Sequence, residues 1–262
     1  MINWNNNEDT TAFFEEHDYF GYNRDYVFFF VQDMAPSVSY EGEIYMEDKD
    51  RLATSPNGNG GWLTSLVRAG LLDKMTELGV EWLNVFSVDN VLQKIADPVF
   101  AGATIDAGCV SGAKVVAKAD PNERVGVLCL ENGKPSIVEY YEMTDEIIYS
   151  RDAEGKLLYN YGVILNYLFE VKMLARIINE YMPIHVVERK IPYMDSEGNF
   201  VKPEKPNGYK FETLVLDMIH MMDNCLSFEV NRRQEFAPIK NRTGVDSLES
   251  ARELMRENGI EL

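Results

Sequence analysis

The uninterrupted apolar run Tyr26-Val27-Phe28-Phe29-Phe30-Val31 constrains the fold most strongly. With no polar alternation it reads as a strand buried on both faces, and the natural host for such a strand is a parallel sheet covered by helices. Helical and strand periodicities alternate along the rest of the chain, the pattern of an α/β protein. At 262 residues and 45% hydrophobic content, the chain can bury one large core or two modest ones.

Asp9 or Thr10 can cap a short helix through His17. Leu63, Leu66, Val67, Leu71 and Met75 recur at helical spacing and predict a helix from Trp62 to Leu78, followed by a strand over Glu81–Val88. Ala113–Lys118 and Val125–Leu130 read as strands, and Glu131-Asn132-Gly133-Lys134 as a hairpin turn into a strand over Ser136–Tyr141. Helices are predicted over Leu165–Tyr181, Phe211–Asn224 and Ser247–Asn258, the last closed by Gly259. The Met-rich segment Met218–Met222 reads as core, and Ser196-Glu197-Gly198-Asn199 as a hairpin tip within a Pro-, Gly- and Lys-rich excursion.

The formal net charge of -18 argues against nucleic acid as a partner, because phosphate neutralisation needs a basic face. Any phosphate must meet a few placed lysines or a divalent cation, so Mg2+ is expected. Cys109, Cys129 and Cys225 lack CxxC spacing and read as core residues. His17, His185 and His220 form no metal-ligand pattern. The amino terminus lacks the basic and apolar regions of a signal peptide, and no apolar run is long enough to span a bilayer. A cytoplasmic protein without a membrane partner is expected.

Pro56-Asn57-Gly58-Asn59-Gly60-Gly61 lets backbone approach a planar ring or a phosphate, since glycine removes the Cβ and permits positive φ. Such strings also mark ordinary turns. Asp89-Asn90 follows a predicted strand, the position at which open α/β sheets present ligand residues, and a carboxylate there can hold a metal. Glu139-Tyr140, Lys210 and Phe236-Ala237-Pro238-Ile239-Lys240-Asn241 complete the candidate set. Read singly, Lys210 and Lys240 are equally compatible with solvated lysines and Glu139 with a strand-edge charge.

Taken in order, Phe29-Phe30-Val31-Gln32, Pro56–Gly61, Ser87-Val88-Asp89-Asn90, Ala96-Asp97-Pro98, Gly112-Ala113-Lys114-Val115-Val116, Val138-Glu139-Tyr140, Lys190-Ile191-Pro192-Tyr193 and Lys205-Pro206-Asn207-Gly208 resemble the eukaryote-type UDP-N-acetylhexosamine pyrophosphorylases and their bacterial relatives. These belong to the UTP:sugar-1-phosphate uridylyltransferases. The resemblance implies that Gln32 and Gly58 meet the uracil and that Asn59 reaches toward the substrate. It places Asp89 near the nucleotide phosphates and Mg2+, Glu139 and Tyr140 against the sugar, and Lys210 and Lys240 with the nucleotide and its phosphates. Gly126, Asn160 and Asn166 join the substrate-binding set.

The implied reaction joins UTP and a sugar 1-phosphate into a UDP-sugar and pyrophosphate, with N-acetylglucosamine 1-phosphate as the expected acceptor. Glucose 1-phosphate and N-acetylgalactosamine 1-phosphate are alternatives. Val163 departs from the pattern, standing where the family commonly has an Asn implicated in sugar binding. The family's L-x-G-G-x-G-T-R-L-G loop and its strand precede the region where this chain starts. The expected fold is therefore a Rossmann-like, GT-A-like mixed sheet flanked by helices and missing its first strand and loop. Residues 1–226 would form an incomplete catalytic domain, and 227–262 the start of a smaller C-terminal portion. A separate N-terminal half is one expected partner; a UDP-sugar-binding fragment with impaired catalysis is the alternative reading.

Overall fold

The computed structural model describes residues 1–261, which group into two compact units. One contains Met1–Gly79 and Ile178–Met218; the other contains Val80–Ile177 and the chain from Ile219 onward. None of these boundaries falls at residue 227.

The second unit is built on a six-stranded mixed sheet. Its central strand, Tyr161–Glu170, runs antiparallel to Ser111–Ala117 on one side and to Trp82–Phe86 on the other. Leu226–Glu229 adds the parallel pairing, alongside Ser111–Ala117. Val127–Glu131 and Lys134–Val138 form the predicted hairpin, with Asn132 and Gly133 at φ 52° and 81° as a tight two-residue turn requires. Ala113, Val115 and Val116 are wholly buried. Each such valine stabilises the unit by about 1.5 to 3 kcal/mol relative to exposure.

The C-terminal helix, Leu248–Glu257, begins with a reciprocal Ser247–Ser250 capping box and ends before Gly259 at φ 71°. Ala251, Leu254 and Met255 on its inner face pack with Leu92, Ala237 and Ile239. That packing fixes the stretch leading to Lys240.

The first unit carries a three-stranded antiparallel sheet in the order His185–Arg189, Gly208–Glu212, Val38–Ser39. Tyr193–Met194 and Phe200–Val201 close the hairpin expected at Ser196–Asn199, where the Asp195 carboxylate accepts the N–H groups of Glu197 and Asn199.

Several sequence expectations change. Residues 27–30 form no ladder: among the described residues the run pairs only through one bridge, from Val31 to Ile2. Its rings find other partners: Phe29 meets Phe14 edge-on at 5.2 Å, and the Lys74 ammonium lies 4.0 Å from the Phe28 ring. The first helix starts at Asn7 rather than after Asp9 or Thr10. The helix predicted over 62–78 is two, Trp62–Arg68 and Leu71–Glu77, divided at Gly70 with φ 70°.

Leu165–Phe169 belongs to the central strand rather than to a helix, which occupies only Val171–Ile177. Strand pairing on both sides overrides the helical periodicity there. Likewise the segment from Phe211 completes a strand before a short helix over Val215–His220. The three cysteines are free thiols and only partly buried. Burial pushes the Cys225 thiol up to about 11, so it stays protonated at neutral pH.

Candidate functional site

In the first unit, the loop after Pro56 is held against Thr213 and Leu214. Thr213 N–H donates to Asn57 O at 2.8 Å, and Gly60 N–H donates to Thr213 O at 2.8 Å. A Cβ on Gly58 would lie 2.2 Å from Thr213 O, and one on Gly60 2.7 Å from Leu214 backbone. These glycines are therefore required by close approach of the protein's own backbone. Asn59 Oδ1 accepts the Val215 N–H at 2.9 Å, so this residue caps the following helix turn.

Gln32 is 8% exposed and donates from Nε2 to Asn57 Oδ1 and to Gly58 O. Gly58 O can only accept, which fixes the orientation of the amide. Gln32 Oε1 and the Gly58 N–H have no partner among the described residues. Gln32, Gly58, Asn59 and Lys210 line one cavity of about 310 Å3, together with Ser55, Arg189 and Glu212. Four residues predicted from sequence thus converge, although Lys210 lies 178 positions from Gln32 in the chain.

In the second unit, Asp89 stands just beyond the carboxyl end of Trp82–Phe86. It is one-third exposed; Ser87 Oγ donates to one carboxylate oxygen, and Lys240 Nζ lies 4.0 Å from the other. Ile239 N–H donates to Asp89 O at 2.9 Å. The neighbouring Asn90 is the clamp: its Nδ2 donates to Glu235 O at 2.8 Å, and its Oδ1 accepts the Ala237 N–H at 2.8 Å. Lys240 is thereby held beside Asp89 across a long sequence separation.

Glu139 and Tyr140 follow the strand Lys134–Val138, with Glu139 partly buried and Tyr140 40% exposed. Burial, with the Glu139 carboxylate adding to it, raises the pKa of the Tyr167 phenol far above its usual range. Gly126 O accepts the Val163 N–H at 2.9 Å, and a Cβ on Gly126 would meet Ile137 and Val163. Val163 accordingly packs as an apolar side chain. Asn160 Oδ1 accepts the Lys118 N–H at 3.1 Å.

Asn166 does not have the role expected of it. It is fully buried where the register of the central strand breaks; its amide donates to Gln93 Oε1 and Lys94 O and accepts from Asn84. Both of its amide donors are thus taken up by the protein's own chain.

The sequence reading missed an ion cluster. Lys114, with no exposed side-chain surface, donates to Asp97 Oδ2 at 2.7 Å and Glu235 Oε2 at 2.6 Å, while Lys94 reaches Glu235 Oε1 at 2.9 Å. Burial would raise the Asp97 carboxyl, but hydrogen bonds from Lys114 and from the Val99 and Phe100 amides outweigh it and hold the group below its usual value. The available signal was a lysine inside the strand-like run Gly112–Val116.

The mixed sheet, its flanking helices and the ligand-type residues beyond strand ends define a nucleotidyltransferase-like α/β protein. The chain belongs to the family described as UTP–glucose-1-phosphate uridylyltransferase, which matches residues 1–258. It is 44% identical to a mouse UDP-N-acetylhexosamine pyrophosphorylase-like protein 1, over 90% of this chain and 47% of the relative. It is 37% identical to a Saccharomyces cerevisiae UDP-N-acetylglucosamine pyrophosphorylase, over 90% of this chain and 51% of that protein. The crystal structure of the Trypanosoma brucei uridine diphosphate N-acetylglucosamine pyrophosphorylase in complex with an inhibitor superposes with a TM-score of 0.85 at 29% identity. That match covers 96% of this chain and 51% of that one. The chain thus spans about half the length of these relatives. Among the described residues no helix is long and apolar enough to cross a membrane.

Proposed function

We propose that this chain is the base- and sugar-reading part of a uridylyltransferase that converts UTP and N-acetylglucosamine 1-phosphate into UDP-N-acetylglucosamine and pyrophosphate. The observation that carries the reading is the pair of unmet groups in the first-unit cavity: an acceptor, Gln32 Oε1, beside a donor, the Gly58 N–H. Uracil offers an N3–H donor flanked by carbonyl acceptors, the complementary pattern. Cytosine keeps the O2 acceptor but carries an acceptor at N3 and an amino donor at C4, so binding it would set Gln32 Oε1 against a lone pair and leave buried polar groups unpaired.

In the reaction, an oxygen of the sugar phosphate attacks the α-phosphorus of UTP. The α–β phosphoanhydride bond breaks, and its electrons leave with pyrophosphate. No covalent enzyme nucleophile is needed; positioning and charge stabilisation supply the rate. Lys210 and Lys240 are assigned to phosphate charge. Glu139 and Tyr140 are assigned to the sugar, with Gly126 and Asn160 in the same substrate-binding group.

Among the described residues no cluster of three or more metal-ligating side chains occurs. The lone, partly exposed Asp89 nevertheless suits Mg2+, which is commonly held by one or two carboxylates with substrate phosphates and water. When bound, Mg2+ would neutralise charge on the phosphates. Asp89 would hold the ion, with Ser87 Oγ orienting the carboxylate.

The relatives' names and the Pro56–Gly61 string favour N-acetylglucosamine 1-phosphate over glucose 1-phosphate. The test is pyrophosphate release from UTP, Mg2+ and each sugar 1-phosphate. Release with N-acetylglucosamine 1-phosphate, abolished by EDTA, is the expected result; no release with either sugar contradicts an active transferase. Gln32→Ala is expected to weaken uridine nucleotide binding by about 1 to 3 kcal/mol. Calorimetric titration with UDP checks this, and unchanged affinity removes Gln32 from base recognition.

A further inference from the structure

The first-unit cavity holds polar groups that base recognition leaves unused. Ser55 is 4% exposed, its Oγ is buried, and that hydroxyl has no hydrogen-bond partner. A native structure seldom leaves such a group unsatisfied, because the unmet hydroxyl costs free energy. Ser55 lines the cavity with Gln32 and Gly58, so a polar ligand there could meet it.

Arg189 is the second unused group. In the antiparallel register, Val187 lies opposite Lys210 and Arg189 opposite Gly208. Side chains alternate along a strand, so Arg189 and Lys210 lie on one face of the sheet, with Glu212 farther along the same face. Arg189 donates to Glu188 O at 3.0 Å, leaving several N–H groups. Among the described residues no carboxylate lies within salt-bridge distance of Arg189 or Lys210, although the chain carries 43 acidic residues. Among the side chains that line this cavity, Arg189 and Lys210 are cationic and Glu212 alone is anionic, in a chain of net charge -18.

Resting on the uridine reading above, we propose that Arg189 is a specificity-determining residue that binds the phosphate portion of a uridine nucleotide and distinguishes UDP from uridine, while the Ser55 hydroxyl bonds the nucleoside portion. A planar guanidinium matches two phosphate oxygens at once, which a lysine ammonium cannot do.

The experiment is calorimetric titration of wild type, Arg189→Gln and Ser55→Ala with uridine, UDP and inorganic pyrophosphate. Arg189→Gln is expected to weaken UDP and pyrophosphate about tenfold and leave uridine within about twofold. Ser55→Ala is expected to weaken uridine and UDP alike by about fivefold while leaving Tm equal or higher, since it removes an unsatisfied buried hydroxyl. A merely structural role for Ser55 would not separate affinity from stability in this way.

Unchanged UDP affinity in Arg189→Gln, or equal loss of uridine and UDP, overturns the assignment of Arg189. Unchanged uridine affinity in Ser55→Ala overturns that of Ser55. Arg189-dependent binding of pyrophosphate by a wild-type chain that ignores uridine upholds the anion seat and sinks the uridine reading. Uridine binding equal to UDP binding in wild type does the opposite.

Discussion

Glu235→Ala is expected to destabilise the sheet-bearing unit by about 3 to 5 kcal/mol, the usual cost of removing one partner from a buried ion pair. Glu235 is 7% exposed in its side chain and takes charge from Lys94 and from Lys114, which has none exposed. Without it, Lys114 keeps only Asp97, and a buried ammonium loses half its compensation. The backbone of Glu235 also receives the Asn90 amide, so the loss should spread to the stretch that carries Lys240.

Replacing Lys114 by Met, Glu235 by Gln and Asp97 by Asn together is expected to recover most of the stability, because all three buried partners of the cluster are then neutral. Urea unfolding of the single and triple variants checks both statements. Equal loss in the two would show that the cluster acts by shape rather than charge. The same cluster predicts acid sensitivity. Asp97 is held below its usual pKa in the folded chain, so the unfolded chain takes up that proton first. Its contribution is complete above the unfolded value of about 3.9 and fades as pH falls through the lower folded value.

Gly58→Ala is the second large effect. Gly58 has φ 86°, which costs an L-residue about 1 to 3 kcal/mol, and its Cβ would fall 2.2 Å from Thr213 O, a backbone atom. Overpacking typically adds about 1 to 3 kcal/mol more. Gly42→Ala is the control, since Gly42 has φ 88° and nothing within 4 Å of the added carbon. Thermal unfolding should show a clearly larger fall in Tm for Gly58→Ala, and the difference measures the close approach alone. Equal Tm values would mean that the Pro56–Gly61 loop is free to shift away from Thr213.

That loop also shows how far the sequence was legible. Gly58 and Gly60 advertised close approach, and the approach exists, but the partner is Thr213–Leu214, while a Cβ on Gly61 would meet the Asn57 side chain. Sequence spacing cannot say which backbone comes near. Gln32 and Lys210 were singled out through the resemblance, and both line one cavity. Asn166 carried the same kind of expectation and instead fills the register break in the central strand.

Helical periodicity failed at Leu165–Phe169 because an apolar run paired on both sides carries no period that separates strand from helix, and at Phe211 because that segment pairs with His185–Arg189, far away in sequence. Turns whose chemistry is local, at Asn132-Gly133 and Ser196–Asn199, were read correctly. Long-range polar arrangements were not. The Lys114 cluster joins positions 94, 97, 114 and 235, and nothing at any one of them announces the others.

The most direct test of the account is a pair of calorimetric titrations of the purified chain, with UDP and with CDP. The two nucleotides share ribose and phosphates and differ only at the base edge that Gln32 Oε1 and the Gly58 N–H are assigned to read. The account predicts that UDP binds at a single site and that CDP binds at least about tenfold more weakly, the effect of roughly 1.4 kcal/mol or more in unmet hydrogen bonds. Equal affinity for UDP and CDP, or no binding of UDP, would contradict it.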